Sequence, residues 1–205
     1  NPVVHSVDPE VSSINTMTHH VLAVTSADKA AVVSALASGV DRSLLFMRTK
    51  HGAKKLAKQL CAAGIPAVEL HGNLSQNARE RALSNFKLGR TRVLVATDIA
   101  ARGIDVDGIT HVINYELPNE PESYVHRIGR TARAGAAGIA LSFCDASERA
   151  HLRGIERLTK RPLTVAGGDP GPDQAPRQAR GPAQRPDDAA KRRRRFRNGR
   201  SRRAA

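Results

Sequence analysis

No stretch of about 18 apolar residues occurs in the 205-residue chain, so no segment has the length to cross a bilayer as a helix. The N-terminus also lacks the charged-then-apolar order of a secretory signal, and the expectation is a soluble chain with no membrane partner. Cysteine is nearly absent. Cys61 and Cys144 stand alone without CxxC spacing, which disfavours a zinc site or a disulfide framework and fits a reducing cytoplasm. No metal site is expected within the chain. No GxxxxGK[ST] segment occurs either, so the chain has no loop of its own to cradle the β- and γ-phosphates of a nucleotide. Acidic residues are scarce toward the end. Residues 1–165 hold 21 Lys+Arg against 15 Asp+Glu, for +6, whereas residues 166–205 hold 12 against 4, for +8. A balance this basic points to a polyanion, nucleic acid before anionic membrane.

What is present has a regular rhythm. Short apolar runs alternate with helix-length amphipathic segments from about residue 20 to residue 158, which predicts an α/β fold with a parallel sheet and helices on both faces. Strands are expected near His20–Val24, Ser43–Met47, Ala67–Leu70, Arg92–Ala96, Thr110–Asn114 and Gly138–Phe143. Helices are expected over Ala27–Ala37, His51–Ala62, Ser75–Leu88, Pro121–Arg133 and Ala146–Leu158. The run Lys54 to Leu60 has the apolar spacing of a helix with one side in water, and Gly64 follows as a stop signal. After Val165 the pattern collapses. Residues 166–205 hold five of the eleven prolines and a single aromatic, Phe196, too little apolar surface to offset chain entropy. The domain is therefore expected to span 1–165, with 166–205 a disordered Pro/Gly/Arg-rich basic tail.

In open parallel sheets ligands sit beyond the carboxyl ends of the strands, where helix N-termini point free N–H groups at the site. Three segments fall there. The first, Thr97-Asp98-Ile99-Ala100-Ala101-Arg102-Gly103-Ile104-Asp105, gathers a hydroxyl, two carboxylates, a guanidinium and a glycine within nine residues, although capping and turn chemistry alone also produce such loops. In the second, His126, Arg130 and Arg133 fall at i, i+4 and i+7 of the expected helix, a positive stripe opposite the apolar Val125, Ile128 and Ala132. Two guanidiniums a turn apart suit a polyphosphate, since each donates a planar pair of hydrogen bonds. A solvated face is the plainer reading, but no acid follows Glu122 in this segment. In the third, His71 to Leu83, Ser75 reads as a helix N-cap, Gln76 and Arg79 share a face, and Gly72 permits close backbone approach.

These segments, in this order and spacing, resemble the helicase motifs of the second domain of the DEAD-box RNA helicase family. Ser43 to Thr49 resembles motif IV, Gln76 to Arg79 the QxxR element, Ala96 to Asp105 motif V, and His126 to Arg133 motif VI, written HRxGRxxR. The resemblance covers roughly residues 15–158. Ala132 stands where the family usually has Gly; on a helix Ala is the better former, so no loss is expected there.

The resemblance implies a RecA-like domain with ATP and RNA as ligands. Arg133 corresponds to an arginine finger reaching the γ-phosphate, with Arg130 beside it, and His126 completes the group implied to be catalytic. Gly103 and Asp105 are implied to hold the ATP ribose. His126, Arg127 and Arg102 are implied to meet the partner domain and couple hydrolysis to closure. Thr49, Gly72, Gln76, Arg79 and Thr97 are implied to grip the sugar-phosphate backbone of one RNA strand, in single strands and short duplexes, without sequence preference. The chain has no Asp-Glu-Ala-Asp segment. ATP and Mg²⁺ are thus expected to be held mainly by a first RecA-like domain missing here, and this half is not expected to hydrolyse ATP alone. The start at Asn1 rather than Met suits a fragment. Two other readings stand beside this one: a stand-alone RNA- or protein-binding scaffold in which Arg133 never meets ATP, and a DNA-directed superfamily-2 helicase.

The tail generates its own prediction. Lys191 to Arg197 sets six cations around one stackable ring, Phe196, which suits a sequence-blind RNA tether. Phosphate neutralisation on single strands lowers log K against log salt by roughly 0.7 per phosphate contacted. Deleting residues 166–205 is expected to weaken RNA binding and flatten that slope by several units. Titration of a labelled single strand at several salt concentrations reads this directly, and equal slopes for the two proteins would assign the grip to the core alone.

Overall fold

The short apolar runs pair with one another in a single sheet in the computed structural model of the chain, which describes residues 17–40, 42–132, 137–163 and 165–166. Its strands are β1 (Met17–Ala23), β2 (Ser43–Met47), β3 (Ala67–Leu70), β4 (Val93–Thr97), β5 (His111–Asn114), β6 (Gly138–Cys144) and β7 (Val165–Ala166). They lie in the order β3-β4-β2-β5-β6-β1-β7, and every neighbouring pair is parallel. A parallel sheet is covered on both faces, so its central strands read as unbroken apolar runs. All five residues of β2 and the first four of β4 are accordingly buried. Register pairs Met47 with Thr97 and Phe46 with Asn114. The carboxyl ends of β4, β2 and β5 therefore finish level with one another.

The connections are α1 (Lys29–Gly39), α2 (Lys50–Ala62), α3 (Gln76–Lys87), the short α4 (Asp98–Ala101), α5 (Pro121–Ile128), and a 3₁₀ turn (Ala146–Glu148) leading into α6 (Arg149–Thr159). Their placement follows from handedness. A crossover between parallel strands is right-handed, so the direction of each step along the sheet selects the face its helix covers. The steps β1 to β2 and β2 to β3 run one way, and α1 and α2 share a face, where Val33, Ala37, Leu56 and Leu60 pack on Leu45, Val95 and Phe143. The remaining steps run the other way, and Phe86, Tyr124, Ile128 and Ile155 pack on Leu44, Phe46 and Leu94 from the opposite face. Alternate residues of β2 divide between the two cores, as the pleat requires. The connections after β2 and β5 leave in opposite directions, which makes their carboxyl ends the switch point where open α/β sheets bind ligands.

The doubly covered parallel sheet is the one the sequence predicts, with several differences at element ends. β1 starts three residues earlier than expected and β7 was not expected; β7 carries the sheet through Ala166. Residues 167–205, and with them the expected tail, lie outside the described residues. The expected helix Pro121–Arg133 is corrected to Pro121–Ile128. Past Ile128 the backbone bonds tighten to Arg130 N–H on Arg127 O and Thr131 N–H on Ile128 O, while the Thr131 hydroxyl donates to Ile109 O at 2.6 Å. That hydroxyl bond draws the chain toward the start of β5. The i, i+4, i+7 stripe is thus not one helical face. Ala132 is corrected with it. Ala132 has φ 53°, in the left-handed region that favours glycine, so helix propensity is not the reason for Ala at this position; its methyl group is buried.

Four of the loops at the carboxyl edge are joined by charge. Lys29, 4% exposed, donates to Glu148, which is 1% exposed, and lies 3.1 Å from Asp145. Glu148 also accepts the Leu117 N–H at 3.1 Å and sits 3.5 Å from the Arg48 guanidinium. Asp145 caps the 3₁₀ turn through the Ser147 N–H and accepts from the Ser26 hydroxyl at 2.9 Å. The loops after β1, β2, β5 and β6 thereby hold one another. Burial pushes the Asp145 carboxyl up, but the bonds from Ser147, Ser26 and Lys29 and the Lys29 charge outweigh it, and its pKa falls from 3.8 to about 2. A depressed pKa contributes stability above the ordinary value that is lost as pH falls through the folded one. Wild-type stability is therefore expected to drop between pH 3.8 and about 2, and Asp145→Asn to make that drop shallower. Urea melts across this range test it, and parallel curves for the two proteins would show that Asp145 titrates as it does in the unfolded chain.

Candidate nucleotide and nucleic-acid interface

The switch point is filled by one guanidinium. Arg127 on α5 is 1% exposed and donates Nε and Nη2 to the two Asp98 carboxylate oxygens at 2.6 and 2.8 Å. Its Nη1 donates to Asn114 Oδ1 at 3.1 Å and to Glu116 O at 2.7 Å, and its carbon lies 5.0 Å from the centroid of the Phe46 ring. Planar fork geometry makes this set possible; an ammonium has no equivalent. The expectation that Arg127 meets a partner domain is corrected here, because it is buried and committed to Asp98, Asn114 and Glu116. It fixes the residues around it instead.

Beside it lies a cleft of about 170 Å³ lined by Phe46, Asp98, Ile99, Ala101, Arg102, Ser123, His126, Arg127 and Arg130. His126 is exposed on α5, and Arg130 reaches back from the following turn, with Nη1 on Ile104 O at 3.2 Å. Arg102 and Gly103 form the corner of a turn closed by Ile104 N–H on Ala101 O at 3.1 Å. Arg102 at φ −61°, ψ 129° and Gly103 at φ 76° make it type II, and its third position requires a residue that tolerates positive φ. Asp105 follows, exposed. Arg133 lies outside the described residues. The cleft is smaller than the roughly 300–1,000 Å³ that encloses a small-molecule ligand, and its guanidinium and imidazole donors match phosphate oxygens. Among the described residues no group of three or more His, Cys, Asp or Glu is placed to hold a metal ion.

The residues expected to grip RNA stand at the ends of three adjacent strands. Thr49, after β2, caps α2 by accepting the Gly52 N–H at 3.0 Å. Gly72 and Gln76 follow β3, and both are exposed; Gln76 donates to Glu80 at 2.8 Å. Ser75 caps α3, as its sequence position suggests. Thr97 ends β4 and precedes α4. Arg79 reaches sideways from α3, and its Nη2 donates to Ala100 O at 2.7 Å. The four-residue α4, which sequence periodicity is too short to reveal, is thus held by Arg79 from the α3 side and by Arg127 from the cleft side.

The sequence reading also missed Glu116. It accepts the Arg48 N–H at 2.7 Å and lies 3.7 Å from the Arg48 guanidinium, which fixes the loop carrying Thr49. A lone acid after a strand gives no signal for this, since its partner is 68 residues away.

A parallel sheet of this order, with arginines at its switch point and hydroxyl, amide and guanidinium groups at the ends of three neighbouring strands, defines a RecA-like domain of the helicase kind. The family model for the helicase conserved C-terminal domain matches residues 28–135, about half of the chain. A DEAD-box ATP-dependent RNA helicase CshA from Bacillus subtilis is 50% identical over 123 residues, 60% of this chain and 25% of that protein. Among solved structures, a DEAD box protein from Methanococcus jannaschii superposes with a TM-score of 0.70 at 39% identity, covering 75% of this chain and 42% of that one. Dbp5 from S. cerevisiae, bound to RNA and ADP BeF3, gives a TM-score of 0.67 at 33% identity over 73% of this chain and 41% of that one. The chain belongs to the helicase conserved C-terminal domain family, and over that domain it is similar to DEAD-box RNA helicases. It spans about a quarter of the length of the curated relatives it matches.

Replacing Arg127 with Lys keeps the charge and removes the fork. The Asp98 carboxylate, Asn114 and the Glu116 carbonyl then compete for one ammonium, and a loss of about 2 kcal/mol is expected, chiefly from the buried acceptors left unpaired, since Asp98 itself is partly exposed. Urea denaturation measures it, and a variant within experimental error of wild type would show that the fork does not hold the edge together.

Proposed function

We propose that this chain works as the second of two RecA-like domains in an ATP-dependent RNA helicase. In this reading it grips the RNA backbone at the ends of β3, β4 and β2 and presents arginines to ATP beside β5. ATP bound between the domains supplies a phosphoryl group whose transfer to water reopens the closed pair. The observation that carries the reading is the double tether of α4. Arg79, from the RNA group, bonds the carbonyl of Ala100, and Arg127, next to the cleft, holds Asp98 two residues earlier. One short helix is thereby common to both sites.

Each group has a role that its chemistry suits. Thr49, Gln76, Arg79 and Thr97 offer donors to phosphate and sugar oxygens, and Gly72 lets the strand approach the backbone; such contacts carry no base information. Gly103 and Asp105 take the ribose, the glycine by shaping the turn and the carboxylate by accepting from hydroxyl groups. His126, Arg130 and Arg133 face the phosphates, where guanidiniums offset the charge that develops on the equatorial oxygens during transfer. The first domain, with its own phosphate loop, holds Mg²⁺ and most of the nucleotide. The chain alone therefore does not turn over ATP, and a reducing cytoplasm suits its two free thiols.

RNA-stimulated ATPase and strand separation by the full-length gene product test the reading. In that enzyme Arg133→Ala is expected to lower kcat by about three powers of ten or more while RNA affinity changes little, and Arg133→Lys to rescue poorly because it lacks the planar fork. Near-normal turnover in either variant would remove Arg133 from the site.

A further inference from the structure

The two faces of the sheet differ in charge. Neither α1 nor α2 contains a carboxylate, and α2 carries Lys50, His51, Lys54, Lys55 and Lys58. At 100° per residue these five cations fall within an arc of about 140°, opposite the buried Ala53, Leu56, Ala57 and Leu60. All five are exposed, and no described side chain pairs with any of the four ammonium groups. A solvated helix normally interleaves acids with its lysines, which gains i, i+4 pairs and avoids like-charge repulsion. Here Lys50, Lys54 and Lys58 stand at successive i, i+4 positions with nothing between them to offset the repulsion, a cost that a polyanion removes on binding.

The position of the helix names the polyanion. α2 is capped by Thr49, on the part of the carboxyl edge assigned to RNA, and runs away from it over β3 and β4. Lys50 and Lys58 are about 12 Å apart along the axis, so the row starts at the RNA grip and leads outward. We infer that the lysine face of α2 is a second RNA contact, a track for the phosphates of the strand as it continues past the residues gripped at the edge. The inference rests on the RNA reading of that edge. The track is sequence-blind, since ammonium groups meet phosphates and α2 carries no Phe, Tyr or Trp to stack a base.

The test uses the whole 205-residue chain with two oligouridines, the shortest that the protein retains and one three times as long. Lysine acetylation by an activated ester, read by mass spectrometry, should slow several-fold at Lys54, Lys55 and Lys58 with the long strand and remain unchanged with the short one. The triple variant Lys54→Gln, Lys55→Gln, Lys58→Gln should bind the long strand about tenfold more weakly and flatten its salt slope by roughly 2, three contacts at about 0.7 each, with its affinity for the short strand unchanged. Unchanged acetylation with the long strand, or an equal loss of affinity for both strands, would overturn the track. Protection of these lysines by polyglutamate but not by RNA would overturn it in favour of an acidic protein partner. Arg79→Ala separates the two readings: it should weaken both strands, and if it weakens neither, the edge assignment fails whatever the lysines do.

Discussion

A guanidinium with 1% of its surface exposed must find acceptors for its N–H groups inside the protein, because an unpaired buried charge costs more than most domains can spare. Arg127 finds them on the loop after β4, on β5 and on the loop after β5, with the Phe46 ring of β2 against its plane. Of these, β2 and β5 are the strands whose connections part at the switch point. The cleft beside Arg127, the placement of Asp98 and the exit of the chain after β5 all depend on this one residue. Its neighbours His126, exposed, and Arg130, partly exposed, line the cleft beside it.

The same constraint explains why α4 can be only four residues long. A helix of that length has no stability of its own. It persists because Arg127 holds its first residue and Arg79 its third, and because Ala100 and Ala101 are buried against the core. The type II turn at Arg102 and Gly103 then delivers Ile104 and Asp105. A displacement of α4 would therefore move both Arg79 on α3 and the cleft beside Arg127. Farther along the edge, the Lys29, Asp145 and Glu148 cluster joins the other loops, and Arg48 bridges the two groups through Glu116 and Glu148.

Much of this was legible in the residues. Ser43–Met47 and Ala67–Leu70 are strands at the expected bounds, since short branched runs between turn signals have few alternatives, and Ser75 caps its helix because a hydroxyl at that position satisfies an orphan N–H. The segments at the carboxyl ends of β3 and β4 were recognisable for the same local reason. The stripe of His126, Arg130 and Arg133 was not read correctly: helical periodicity continues through Gly129 to Arg133 in the sequence, and what ends the helix is the Thr131 hydroxyl bonding to the carbonyl of Ile109, a contact 22 residues away. Ala132 was misjudged with it, since helix propensity is irrelevant at φ 53°.

The sequence by itself determined the fold class, the family and the residues that gather at the carboxyl edge, because strand length, capping and motif spacing are local properties that a one-dimensional pattern records. It also set the uneven charge of α2, which is a matter of composition. Only the tertiary structure decided which arginine is structural and which faces the cleft. Arg127 and Arg130 are the same residue type three positions apart in one motif, and no propensity separates them. Their difference arises from Asp98 and Asn114, 29 and 13 residues away from Arg127 in the chain, brought within hydrogen-bonding distance by the right-handed path of the crossovers.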